Sequence, residues 1–193
     1  MNFIYTKPQV LSKEVCEKFI KNFEASPLVN KGHVFINGKI VNTPEIKSSS
    51  DITFNPSYLN HPIWGDLLKR LVSTIEEEIN EYTLKFSKGL YNISEFRLDP
   101  LFNIQRYHPG EGYHTFHCER GANSKNLSRV LVWMVYLNDV TDGGQTEFYY
   151  QNHKETAEQG KIVIWPSDWT HIHRGITSPT QTKYILTGWF SHI

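Results

Sequence analysis

The chain has 193 residues, a length that buries roughly 70% of the surface its unfolded form exposes, so it needs no disulfide or metal staples to fold. Twenty basic residues balance twenty acidic ones, which speaks against a dedicated nucleic-acid or anionic-membrane binder. Cys16 and Cys118 cannot build a disulfide framework, no secretory signal is visible, and no apolar run approaches the roughly 18 residues of a membrane span. The expectation is one reduced, cytoplasmic domain.

Ser12 is placed to cap a helix that presents Val15, Cys16, Phe19, Ile20 and Phe23 at helical spacing. Val34 to Val41 reads as two short strands around Asn37-Gly38, a strong hairpin signal. The polar stretch 42–51 reads as a mobile loop and candidate lid. After Asn60 and Pro62, Ile63, Trp64, Leu67, Leu68, Leu71, Val72, Ile75, Ile79, Tyr82 and Phe86 form the apolar stripe of a long helix. So long a stripe calls for a broad flat partner, which a sheet supplies.

From about Phe96 the texture changes to short strands separated by turns, near 102–107, 129–138, 145–150, 160–165, 170–176 and 183–190. Arg129 to Leu137 and Tyr184 to Phe190 are apolar at both parities, so both faces should be covered, one by the long helix and one by the interior of a β-sandwich. Gly143-Gly144 is a turn device, since glycine permits positive φ. Trp133, Trp165 and Trp169 read as core aromatics, and Cys118 as a small buried residue. The fold expected is mainly β, a double-stranded β-helix (jelly roll) over about 96–193, buttressed by helices within about 1–95.

The chemistry concentrates in two stretches. On an extended strand, His117 and Glu119 project to one side while Cys118 points away. One imidazole and one carboxylate make two-thirds of the two-His, one-carboxylate facial triad that leaves open positions on iron(II). In the second stretch, His171 and His173 again share a strand face, and either could complete the triad. His173 is followed by an Arg174-Gly175 turn and lies ten residues before Lys183. Lys183, Ile185, Thr187 and Trp189 share one parity on a strand that otherwise reads as core. An ammonium held there demands an anionic partner, which a dicarboxylate cosubstrate would provide. His114 is assigned to pocket wall or surface. Arg120, Lys125, Arg129 and Arg174, close to the site in sequence, could steer an acidic substrate.

As a set, Tyr107-x-Pro-Gly, His117-x-Glu119, Tyr136-Leu-Asn-Asp139, Gly143-Gly-Gln-Thr146 with Phe148, Gly160-Lys, His173, Lys183 and Thr187-x-Trp189 resemble the prolyl 4-hydroxylase-like branch of the iron(II)/2-oxoglutarate oxygenases, particularly its short bacterial and phage-encoded members. The resemblance spans about residues 96–190. It implies that His117, Glu119 and His173 ligate Fe(II), and that Lys183 pairs with the far carboxylate of 2-oxoglutarate. It further implies that the hydroxyls of Tyr107 and Tyr136, on neighbouring strands, assist that carboxylate, and that Thr187 and Trp189 line the cosubstrate or substrate pocket. O2 is implied as the second cosubstrate and ascorbate as a rescuing reductant. Two departures stand out: glutamate replaces the commoner aspartate, and His117 follows Tyr113 by four residues where relatives show three, which suggests a bulge. The activity implied is hydroxylation of an unactivated C–H bond, foremost of a peptidyl proline, with release of succinate and CO2. A same-class oxygenase of small molecules and a non-catalytic jelly-roll binding module are the alternatives. Residues 42–51 and 121–128 are the candidate lids.

Overall fold

The computed structural model describes residues 1–36, 39–90, 95–121 and 126–193. Its frame is an eight-stranded antiparallel sheet. Across it run Tyr5–Lys7, Ile162–Pro166, Arg129–Tyr136, Lys183–His192, Phe102–Tyr107, Ser50–Phe54 and Asn30–Lys31, while Phe96–Leu98 pairs with the far end of Lys183–His192. A smaller sheet, His153–Glu155, Thr146–Phe148 and His173–Gly175, lies apart from it. The result is the two-sheet jelly roll expected.

Burial at both parities holds for the central strands. Leu131, Trp133, Val135, Leu186 and Phe190 join one apolar cluster with helix residues Phe19, Phe23, Leu68, Leu71, Ile75 and Tyr82. The alternate residues Val132, Met134, Tyr136 and Ile185 join a second cluster with Phe148 and Trp165, between the sheets. The two long helices are Lys13–Glu24, capped by Ser12 Oγ accepting from the Val15 amide at 3.4 Å, and Gly65–Lys85. Their apolar stripes close the outer face of the sheet, each fully buried large side chain contributing roughly 1.5–3 kcal/mol.

The N-terminal strand Tyr5–Lys7 was not anticipated. It extends the sheet beside Ile162–Pro166, and Tyr5 Oη and Lys7 Nζ both donate to the buried Glu78 carboxylate of the long helix at 2.7 Å. Val34–Ile36 pairs with Lys39–Val41 as a hairpin, whose Asn37-Gly38 turn lies outside the described residues. Gly143 and Gly144 adopt φ of +78° and +79°, as a turn of that kind requires.

Three expectations need correction. The stretch 42–51 is not an open loop: Lys47–Ser48 pairs with Gly112–Tyr113, and Ser50–Phe54 pairs with Phe102–Tyr107, so its last residues are built into sheet and Lys47 and Asp51 are buried. Trp169 is 67% exposed, on a single 3-10 turn rather than in the core. Cys118 is only half buried.

Candidate metal and cosubstrate site

Between the sheets lies a cavity of about 580 Å³. Its floor is the inward parity of the major sheet, Asn103, Gln105 and Tyr107 beside Lys183, Ile185, Thr187 and Trp189. The shared face read from the sequence is therefore the face that lines the cavity.

His117 and Glu119 reach the cavity without the regular strand expected for them. His117 forms an isolated antiparallel bridge with His173, each amide donating to the other's carbonyl at 3.0 and 2.9 Å. The Glu119 amide is pinned at 3.1 Å to Ser167 O. Two backbone anchors thus do what a strand would do, and the extra residue after Tyr113 is absorbed in the irregular stretch before the bridge. Tyr113 stacks on the His117 ring, centroids 3.5 Å apart and planes 11° apart.

The two imidazoles present the same atom. His117 Nδ1 lies 3.0 Å from Thr115 O, and His173 Nδ1 lies 3.0 Å from His171 O. A carbonyl can only accept, so each Nδ1 carries a proton, and in the neutral form of each ring Nε2 keeps its lone pair. Glu119 Oε1 lies 3.4 Å from His117 Nε2 and 3.7 Å from His173 Nε2, and the ligand atoms of all three residues lie within 4.8 Å of one another. Burial and the neighbouring His117 lower the His173 pKa to about 3, so the ring is neutral in the physiological range. Burial alone would raise the Glu119 pKa, but the neighbouring His117 side chain and Arg129 hold it well below the usual carboxylate range. Glu119 Oε2 is occupied elsewhere, accepting from Trp189 Nε1 at 2.9 Å and Arg129 Nη1 at 3.1 Å, while the guanidinium stacks 3.6 Å from the Trp189 ring centroid. That clamp accommodates the additional methylene of glutamate and turns one oxygen toward the imidazoles. Two neutral nitrogens and one anionic oxygen on one side of a cavity suit a first-row divalent cation with open positions.

His171 does not compete for this site. It ends the Trp169–His171 turn, with Nε2 at 2.9 Å from Asn2 O and Nδ1 at 3.0 Å from Thr170 Oγ1. His114 is half buried, its Nδ1 3.3 Å from Thr177 Oγ1.

Lys183 is 5% exposed, and Nζ donates to Gly144 O at 3.1 Å. Among the described residues no carboxylate comes within ion-pair distance of it, and burial lowers its pKa to about 8. A Cβ on Gly175 would sit 3.4 Å from this Nζ, so glycine leaves room there for a ligand group. A lone ammonium in a cavity is an anion site. The Tyr107 ring lies 5.1 Å beneath it, but its hydroxyl donates to Gln105 Oε1 at 2.7 Å. Tyr107 and Tyr136 do not lie on adjacent strands, because Lys183–His192 runs between theirs. Tyr136 is fully buried, its hydroxyl 2.7 Å from Thr146 Oγ1, and Thr146 rather than Tyr136 lines the cavity. Thr187 also lines the cavity, its hydroxyl donating to Trp133 O at 3.1 Å.

The described arginines that the sequence suggested as steering cations are each engaged: Arg120 with Asp168, Arg129 with Glu119, and Arg174 with Glu147. Lys125 lies outside the described residues. Sequence reasoning missed the buried ion pair of Lys47 Nζ with Asp51 Oδ2 at 2.6 Å in the cavity wall.

Residues 102–191 match the model of the 2OG-Fe(II) oxygenase superfamily. That stretch is similar to a 2OG-Fe(II) oxygenase domain, and the superfamily implies Fe(II), 2-oxoglutarate and O2. The fold of the chain is also that of solved prolyl hydroxylases of bacterial, viral and animal origin. Its fold is similar to that of the viral collagen prolyl hydroxylase of Paramecium bursaria Chlorella virus-1 in its 2OG complex, at 17% identity and a TM-score of 0.74, over 100% of this chain and 97% of that one. It is also similar to a Pseudomonas putida prolyl-4-hydroxylase, at 16% identity and a TM-score of 0.69, over 100% and 94%. A Trichoplax adhaerens prolyl hydroxylase, in complex with a hypoxia inducible factor oxygen degradation domain peptide fragment, aligns at 16% identity and a TM-score of 0.79, over 99% and 84%. No curated protein matches the sequence.

Proposed function

We propose that this protein is an iron(II)/2-oxoglutarate-dependent dioxygenase that hydroxylates a peptidyl proline, with His117, Glu119 and His173 holding the metal and Lys183 the far carboxylate of 2-oxoglutarate. The observation that carries the reading is the convergence, in one cavity, of three metal-type donors and a buried ammonium with no counter-charge among the described residues. Iron(II) bound there would supply O2 activation, coupling oxidation of 2-oxoglutarate to succinate and CO2 with hydroxylation of a C–H bond. The protein's own part is positioning. The Nδ1 anchors fix both imidazoles, Arg129 and Trp189 fix Glu119, and Lys183 orients the cosubstrate along the floor beside Thr146 and Thr187. Ascorbate belongs to the proposal as a reductant that restores iron(II) after uncoupled turnover. Support for a peptide substrate comes from the solved relatives, one of which holds a peptide fragment.

Succinate release measured with iron(II) and 2-oxoglutarate tests the reading. A proline-rich peptide should raise the release at least several-fold and gain one oxygen atom by mass. Stimulation by a small metabolite alone would favour the small-molecule alternative, and no release under any condition would leave only a binding module.

The cosubstrate site has a pH signature. Only the charged form of Lys183 attracts a carboxylate, and burial sets the pKa of this group near 8. Affinity for 2-oxoglutarate should therefore be level below that value and weaken above it, by up to about tenfold per pH unit. Calorimetric titration of the metal-loaded protein at a series of pH values reads this directly. Lys183→Arg, charged throughout, should remove the slope; an equal slope in that variant would place the titrating group elsewhere.

A further inference from the structure

The cavity holds a second buried ammonium, and its electrostatics differ from those of Lys183. Lys47 and Asp51 are 5% and 8% exposed, and both line the cavity. Asp51 is fully engaged, with Oδ2 accepting from Lys47 at 2.6 Å and from Gln105 Nε2 at 3.4 Å, and Oδ1 from Ser49 Oγ at 2.8 Å. Gly32 closes over this group so tightly that a Cβ there would collide with Ser49 Oγ. Three of the roughly four lone-pair sites of the carboxylate are therefore committed within the protein. Lys47 is the reverse case. An ammonium carries three N–H donors, and Asp51 is the one side-chain acceptor it meets among the described residues. Among the described residues no other side chain accepts from its spare donors, which are open to what enters the cavity.

Charge separates the two lysines. Lys183 has no carboxylate partner among the described residues, so it suits an anion. Lys47 is already neutralised by Asp51, so a full negative charge gains little there, while an uncharged hydrogen-bond acceptor satisfies the open donors without adding net charge. Gln105 links the two regions, its amide donating to Asp51 while its oxygen accepts from the Tyr107 hydroxyl beneath Lys183.

Resting on the peptidyl reading above, we propose that Lys47, held by Asp51, is the substrate-reading residue of the cavity and donates a hydrogen bond to an amide carbonyl of the bound peptide. Asp51 and Gln105 are its positioning residues. The assignment divides the site: one ammonium for the cosubstrate carboxylate, the other for the neutral backbone of the substrate. A peptide containing proline suits such a reader, because proline nitrogens carry no N–H and the carbonyls remain as the acceptors.

The test uses the full chain with iron(II), 2-oxoglutarate and an acetylated, amidated proline-rich peptide, whose acceptors are all uncharged. Lys47→Met should raise the peptide KM about tenfold or more, with a smaller change in kcat, as expected when a hydrogen bond to a charged donor is lost. Lys47→Arg should recover most of that loss. Because Lys47→Met leaves the Asp51 charge buried and unpaired, Lys47→Met/Asp51→Leu is made alongside it, removing both charges so that the fold is retained. The raised KM should persist in the double variant at a melting temperature close to that of the parent. A parental KM there overturns the inference alone. A Lys47 effect confined to peptides with a free C-terminal carboxylate overturns the carbonyl assignment. Absence of peptide-dependent succinate release from the parent overturns the peptidyl reading, and this inference with it.

Discussion

His117→Ala and His173→Ala should each weaken iron(II) binding by at least about 100-fold and bring 2-oxoglutarate turnover to background, because each deletes one of three converging donors. The loss has a geometric reason. Both Nδ1 atoms are committed to carbonyls at 3.0 Å, so only the Nε2 lone pairs are available, and no nearby histidine can substitute. His171, two residues from His173, is held by Asn2 O and Thr170 Oγ1, so His171→Ala should leave metal affinity within a few-fold of the parent. Metal affinity is measured by competition with a chromogenic chelator, which does not depend on turnover. A matching loss in the His171 variant would mean that the assignment of His173 as the third donor is wrong.

Lys183→Ala should raise the 2-oxoglutarate requirement about 100-fold while leaving iron(II) bound, since truncating one partner of a buried charge pair costs roughly 2–5 kcal/mol. The apo protein should respond in the opposite direction. In the free protein Lys183 is a buried ammonium whose one hydrogen-bond acceptor among the described residues is Gly144 O, so replacing it by an apolar group of similar length removes a desolvation penalty. Lys183→Met should therefore melt at or above the parent temperature when free, and should lose the stabilisation that saturating 2-oxoglutarate gives the metal-loaded parent. Thermal melts with and without cosubstrate report both effects. A lysine retained only for structure would lower the melting temperature of the free protein and leave cosubstrate affinity unchanged.

What the sequence disclosed depended on regular periodicity. The long helix, the two-faced burial of the Arg129–Tyr136 and Lys183–His192 strands, and the common face of Lys183, Ile185, Thr187 and Trp189 all follow from repeats of 3.6 or 2, and all are present. His117, Glu119 and His173 meet as their spacing suggested, although the segment carrying the first two is irregular and depends on backbone bonds to His173 and Ser167. The features that escaped notice depend on tertiary partners. Asn42 to Asp51 has the composition of a loop, and only the register of Asp51 opposite Gln105 shows that its ion pair is interior. The four-residue interval between Lys47 and Asp51 was a faint signal, because that spacing is usually read on helices. Tyr136 shares the inward parity of Val132 and Met134, yet parity does not show that Thr146 takes its hydroxyl. The Arg129 and Trp189 clamp on Glu119 joins three separate segments, so no local pattern carries it.

Anaerobic calorimetry of 2-oxoglutarate binding, with and without one equivalent of iron(II), tests most directly whether the three donors and the lone ammonium form one site. A single 2-oxoglutarate should bind tightly only when the metal is present; His173→Ala should remove that tight binding through the metal, and Lys183→Ala should weaken it about 100-fold with the metal still in place. Binding of equal strength in the presence of a strong chelator, or binding that survives both substitutions, would contradict the account.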